Sequence, residues 1–196
     1  MELKKLVEEH QKWVESNGFI GKKIEVENIS FSRCTINRKK LCNAHLVKVN
    51  FDNCNLKEND MYSCYFLESS FLKADLSESV LSKAVFDYAL LRHSKMKNCK
   101  AIKTSFSYAD IGNSDLSDSD LRGAVFRGSD LSNANLQNVD LTSAVLTGTL
   151  LFETNFKGAK GIEEIYSDYV FIGTKDNPKR IEGDDIIKWL IEKASL

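Results

Sequence analysis

Asp110, Asp115, Asp118, Asp120, Asp130 and Asp140 form the densest set of groups able to move protons or hold a cation. Carboxylates do acid–base work when burial or a close like charge separates their pKa values. Five of these six are spaced by multiples of five, which spreads them along the chain instead of gathering them in one pocket. They are expected to form a solvated acidic surface, a candidate contact region for a partner, with no catalytic role. His10, His45 and His93 have no ligand-spaced partners. The five cysteines (34, 42, 54, 64 and 99) are odd in number and lack CxxC spacing, so reduced thiols are expected, without a disulfide framework or zinc site. Cys34 and Cys54 are read as stacked core thiols. Asn28-Ile29-Ser30 fits a glycosylation acceptor, a common motif. No Gly-rich phosphate loop and no nucleophile motif is present. The chain is expected to be no enzyme and to carry no cofactor or metal.

Whatever holds these groups must fit in 196 residues with a net charge of −1. That balance exerts no overall pull toward nucleic acid or an anionic membrane. No apolar run approaches the roughly 18–20 residues that span a bilayer. The first 18 residues have no signal-peptide core, so a cytoplasmic location without membrane contact is expected. The single proline is Pro178. Avoidance of proline over so long a stretch implies backbone donors that cannot be spared.

A period of five runs through the chain. Starting at Phe31 and stepping by five to Phe156 gives 26 positions, of which 25 carry a large apolar residue, with Ala101 the exception. Neither a helix period of 3.6 nor a strand period of 2 produces this. Two residues earlier sits a small side chain, as at Cys34, Ala44, Cys54, Cys64, Ser69, Ala74 and Ser79, with Lys39 and Asn59 the clearest misfits. Asp or Asn often falls between the two, as in residues 74–76, 114–116 and 134–136. Residues 20 apart also align: Val26, Leu46, Phe66, Phe86, Phe106, Phe126, Leu146 and Tyr166 form one column. Phe31, Phe51, Phe71, Leu91, Ile111, Leu131, Leu151 and Phe171 form another. Rings in register stack well at a strand spacing of about 4.8 Å.

This A/S/C–D/N–L/F–x–x unit resembles the pentapeptide repeat family over about residues 26–172. The resemblance implies a right-handed quadrilateral β-helix, four pentapeptides to a coil, with the large and small residues inward. About seven coils are expected, a rod roughly 34 Å long at that spacing. Ala101 predicts a local cavity or a shifted Ile102. Residues 1–18 are assigned to a capping helix, 19–172 to the β-helix, and 173–196 to an irregular loop followed by a helix. A β-helix must cover its unpaired end strands. Leu3, Leu6, Val7, Trp13 and Val14 give the first helix an apolar side, and Asn17-Gly18 stops it. Asp184 or Asp185 is expected to N-cap the second helix, with Trp189 off its apolar stripe. In gyrase-binding relatives a segment of this kind forms the dimer contact, so Ile186, Ile187, Trp189 and Leu190 are candidates for a homodimer contact or for a cap.

The surface charge is banded: residues 92–103 hold five basic and no acidic side chains, and 104–156 hold seven acidic against two basic. One outward column is apolar, with Tyr65, Val85, Val125, Val145 and Ile165, and with Tyr88 and Tyr108 nearby on the same face. Such a stripe suggests a contact surface. Three functions are open. The first is a protein-interaction scaffold whose partner the sequence does not identify. The second, implied by the resemblance, is a DNA mimic that binds a type II topoisomerase (DNA gyrase or topoisomerase IV) in quinolone resistance or toxin immunity. Direct nucleic-acid binding through the basic bands is the third.

Overall fold

The computed structural model describes residues 3–195. Helix α1 (Leu3–Glu15) leads into a solenoid in which strands pair in parallel with a 20-residue offset. Short strands β1 (Glu25–Glu27) and β2 (His45–Val47) open this ladder, which continues through single bridges such as Asn55↔Asp75 and Asp75↔Lys95. The two predicted columns lie inside from Phe31 to Leu151. Phe66, Phe86, Phe106 and Phe126 stack at centroid distances of 4.8, 5.4 and 5.2 Å. Beside them Phe51 stacks on Phe71 at 5.2 Å, and Phe31 lies tilted against Phe51 at 5.8 Å.

Backbone bonding explains the repeat, as residues 74–78 show. Ala74 N–H donates to Phe71 O at 3.0 Å and closes the preceding turn. Asp75 N–H donates back to Cys54 O at 2.9 Å, while Leu76 and Glu78 donate forward to Lys95 O and Lys97 O at 2.7 and 2.9 Å. The fifth donor, Ser77 N–H, is taken by Asp75 Oδ1 at 3.1 Å. All five N–H groups are therefore used, and an unmade buried bond is costly. This excludes proline from the repeat, and it gives the Asp/Asn position a local task as an Asx cap. Pro178 lies instead in an outer hairpin strand.

Every fifth residue from Asn28 to Gly158 has a positive φ, yet only Gly123, Gly128, Gly148 and Gly158 are glycine there. The left-handed region costs an L-residue about 1–2 kcal/mol, and glycine's extra freedom when unfolded returns part of that. Lys73 (φ 57°) occupies such a corner with its side chain exposed. Lys73→Gly should raise stability by about 0.5–1 kcal/mol in urea denaturation, and a loss would show the corner to be unstrained.

Of the two alternatives at Ala101, a shifted Ile102 is not found: Ala101 stays in register and buried, and Ile102 remains half-exposed. Two further features depart from expectation. A short 310 turn (Ile162–Glu164) follows Gly161 and adds one residue, so Val145 pairs with Tyr166 and Leu150 with Phe171, 21 residues on. Beyond it the columns reverse: Ile165, Val170 and Ile172 are buried, whereas Tyr166 is exposed and Phe171 half-buried. The expected irregular loop is a hairpin, β3 (Tyr169–Thr174) antiparallel to β4 (Asn177–Glu182), so the 172/173 boundary falls inside a strand.

Helix α2 (Asp184–Ser195) then folds back, with Asp184 and Asp185 in its first turn, where they suit the helix dipole and do not form the predicted N-cap. Its Ile186 and Leu190 are fully buried against the core. Trp189 is not off the packing face but meets Phe156 edge-on at 6.0 Å, and Gly158 N–H donates to Ala194 O at 2.8 Å. At the opposite end, α1 buries Val7 and His10. Residues 1 and 2 of the predicted cap lie outside the described residues. Among the described residues no helix is long and apolar enough to cross a membrane.

His10 fastens α1 to the first coils. Ile24 N–H donates to its Nδ1 at 3.0 Å, and its Nε2 lies 3.2 Å from Cys42 O, an arrangement that suits the neutral ring protonated on Nε2. Burial, with Lys23 nearby, holds its pKa below the ordinary value despite the carbonyls that face it. The unfolded chain takes up its proton near pH 6.5, whereas the folded chain resists to lower pH. The stability this group contributes is therefore present above about pH 6.5 and lost as pH falls through the folded value. His10→Gln should flatten the fall in melting temperature between about pH 7 and 5, and an unchanged slope would place the titration elsewhere.

Candidate interaction surface

The stretches on either side of each corner decide what the rod presents. Asp110 and Asp130 are bridge partners on one face, Asp120 and Asp140 on another, and Asp115 pairs with Asn135 on a third. Asp118 lies on a positive-φ corner. No pocket gathers the six. Asp110, Asp115, Asp120, Asp130 and Asp140 each accept the N–H two residues on, at 2.9–3.3 Å. Most of the charge is also paired. Arg92 lies 3.1 and 3.9 Å from Asp110 and Asp130, and Arg122 lies 2.7 and 3.9 Å from Asp120 and Asp140. The Asn138 amide and Lys97 hold the Asp118 carboxyl below the usual carboxylate range, as Arg122 does for Asp120. The acidic band is thus laced with cations that the residue count alone did not position.

The apolar stripe is assembled differently from its sequence outline. Tyr65 and Val85 are bridge partners, Ser105 interrupts, and Val125 pairs with Val145, all of them half-exposed. Ile165 does not extend the stripe: the extra residue after Gly161 turns it inward, and Tyr166 takes the outward position at 64% exposure. Tyr88 and Tyr108 project from the same corner of successive coils, 55% and 52% exposed, with rings 5.1 Å apart and nearly parallel. A methyl at Gly128 would sit 2.7 Å from the Tyr108 ring, so the ring lies across that glycine. At Gly148 the neighbour is the Tyr169 hydroxyl, and Arg180 caps the Tyr169 ring at 4.1 Å. The result is an aromatic ridge ending in Tyr169, with exposed Leu90 on its other flank. Sequence reasoning missed Tyr169 and Leu90, and glycine at two corners 20 residues apart was the available signal.

Of the C-terminal candidates, Ile186 and Leu190 are committed to sealing the solenoid and are not presentable to a second chain while α2 is docked. Ile187 and Trp189 are half-buried. All five cysteines are free thiols. Burial pushes the Cys99 thiol up to about 12 and the Cys42 thiol to about 11. Among the described residues no group of three His, Cys, Asp or Glu is placed to hold a metal ion.

A profile of pentapeptide repeats matches in eight copies spread over residues 40–71, 60–98, 80–118 and 119–158, more than half of the chain. No curated protein matches. Among solved structures, HetL of the cyanobacterium Nostoc is a pentapeptide repeat protein involved in heterocyst differentiation regulation. It is 20% identical over 74% of this chain and 72% of its own, with a TM-score of 0.62. A pentapeptide repeat protein of the Arabidopsis thaliana thylakoid lumen is 36% identical over 44% of this chain and 60% of its own, with a TM-score of 0.43. QnrB1, a plasmid-mediated fluoroquinolone resistance protein, is 11% identical over 87% of this chain and 98% of its own, with a TM-score of 0.46.

Proposed function

The chain belongs to the pentapeptide repeat family, and on that premise we propose that it is a non-enzymatic interaction scaffold. We take the solenoid as right-handed and quadrilateral with about seven coils, its Tyr88–Tyr108 corner presented to a protein partner. One observation carries this reading: two stacked tyrosines stand in solvent beside a half-exposed valine column, on a backbone that fixes them in place. Aromatic side chains that are already ordered lose little entropy on binding, which suits them as anchors. The aspartates support the same reading, since their lone pairs are spent on local turns and ion pairs.

The test replaces both rings. Glutamate is tolerated at these corners, because Glu58, Glu68 and Glu78 hold the same positive-φ position. A Tyr88→Glu/Tyr108→Glu protein should keep the parent melting curve, and a photo-crosslinker at residue 108 of the parent should capture a partner in host cells. The double variant should weaken binding of that partner at least about tenfold, the loss of one ordinary anchor. Equal binding by parent and variant would overturn the ridge as the contact surface. With purified gyrase, supercoiling activity should be unchanged by the parent protein. Inhibition or protection would replace the scaffold reading by that of a DNA mimic.

A further inference from the structure

Cys34 and Cys54 occupy the small inward position of successive coils on one face, two residues before Ile36 and Leu56. Asn55 N–H donates to Cys34 O at 2.8 Å, and Thr35 and Asn55 are bridge partners, so the strands carrying the two thiols are directly bonded. Neighbouring strands lie about 4.8 Å apart, inside the roughly 4.4–6.8 Å Cα separation that a disulfide spans. Cys34 N–H donates to Cys54 Sγ at 3.0 Å, which holds that sulfur against the backbone of Cys34. No other pair among the five is so placed. The column neighbours of Cys64 are Ala44 and Ala84, those of Cys99 are Ser79 and Ser119, and Cys42 lies outside the small position.

The two thiols differ in access. Cys54 is buried, whereas Cys34 belongs to the first coil and is half-buried. It lines an open groove of about 370 Å³ between α1 and that coil, beside Leu3, Lys4, Val7, Asn37 and Lys39. A small neutral oxidant can reach it there.

We propose that Cys34 and Cys54 form a redox couple, a modification site at which hydrogen peroxide oxidises Cys34 and Cys54 resolves the product into a disulfide. In the first step the Cys34 sulfur attacks one peroxide oxygen and the O–O bond breaks. The sulfur becomes a sulfenic acid and the second oxygen leaves as water. The Cys54 sulfur then attacks the Cys34 sulfur, the S–O bond breaks, and the hydroxyl leaves with the Cys54 proton as a second water. Each sulfur gives up one electron, and the peroxide takes two. The neighbouring Cys54 sulfur and burial hold the Cys34 thiol well above its ordinary value, so the first step is slow at neutral pH and quickens as pH rises. The disulfide staples the first coil to the second and closes a 20-residue loop in the unfolded chain.

The intact protein is treated with hydrogen peroxide, alkylated, and digested with trypsin. Residues 34–38 should be recovered joined to residues 49–57 with the loss of two hydrogens, and dithiothreitol should separate them. The oxidised protein should melt several degrees higher than the reduced one. Cys54→Ser should retain the fold, since Ser69 and Ser79 fill the same position and donate to the carbonyl 23 residues back. Oxidation of that variant should stop at a sulfenic acid on Cys34 that dimedone traps, with no gain in melting temperature. Free, alkylatable thiols at both positions after peroxide would overturn the proposal. So would a cross-link made through Cys42, or a disulfide that lowers the melting temperature. Should Cys54→Ser fail to fold, the peptide map of the parent protein decides alone.

Discussion

Phe86→Ala is expected to lower stability by about 3–5 kcal/mol, among the largest single effects a core truncation produces. The ring is fully buried at the middle of the rod. It stacks on Phe66 at 4.8 Å and Phe106 at 5.4 Å, and Phe71 of the adjoining column lies T-shaped to it at 5.4 Å. Its removal leaves a void that the neighbours are poorly able to fill, because each coil is pinned by backbone bonds to the coils on both sides. In a solenoid, stability is a sum of repeat and interface contributions, so a weakened middle interface uncouples two halves. Urea denaturation followed by far-UV circular dichroism should show a lower midpoint and a broadened or split transition. A single unshifted transition would mean that the Phe column contributes no cooperativity.

The second large effect belongs to the C-terminal seal. Leu190→Asp places a carboxylate at a fully buried position within the apolar core, so α2 is expected to undock instead of accommodating it. Lost leucine burial alone costs about 2–5 kcal/mol. Undocking uncovers Ile172, Ile181 and Ile162, and it frees Gly158 N–H from its bond to Ala194 O. An open β edge recruits other chains. Light scattering should therefore grow with protein concentration while the circular dichroism of the coils persists. A monodisperse variant with the parent melting curve would show that α2 is not the seal.

Much of this molecule was legible from Phe31 onward, because one chemical demand repeats every five residues. What period alone does not reveal is how the exceptions are resolved. Lys39 and Asn59 both break the small-residue rule, and they sit one coil apart. Asn59 Oδ1 accepts Lys39 N–H at 2.8 Å, and its amide donates to Ile36 O and Leu56 O at 2.6 and 2.7 Å. Two misfits thereby make one satisfied buried site. The slip after Gly161 stayed hidden because Ile165 and Tyr166 are both apolar, so either register reads acceptably. The hairpin was missed because β4 is exposed at every position except Ile181 and carries no alternation. The ion pairs that lace the acidic surface were not legible for a related reason. Charges were counted along the chain, whereas Arg92 reaches residues 18 and 38 positions away.

The four-unit coil also sets a rule for how such a chain can change. Duplicating 20 residues lengthens the rod and leaves every surface group on its own side. Duplicating five leaves the hydrogen-bond pattern of each unit intact, yet it turns everything downstream by a quarter revolution. The aromatic ridge and the aspartate columns would then meet new neighbours while the interior remained unaltered. Length and rotational phase are thus independent variables here, and a lineage can re-aim its surface without renegotiating its core.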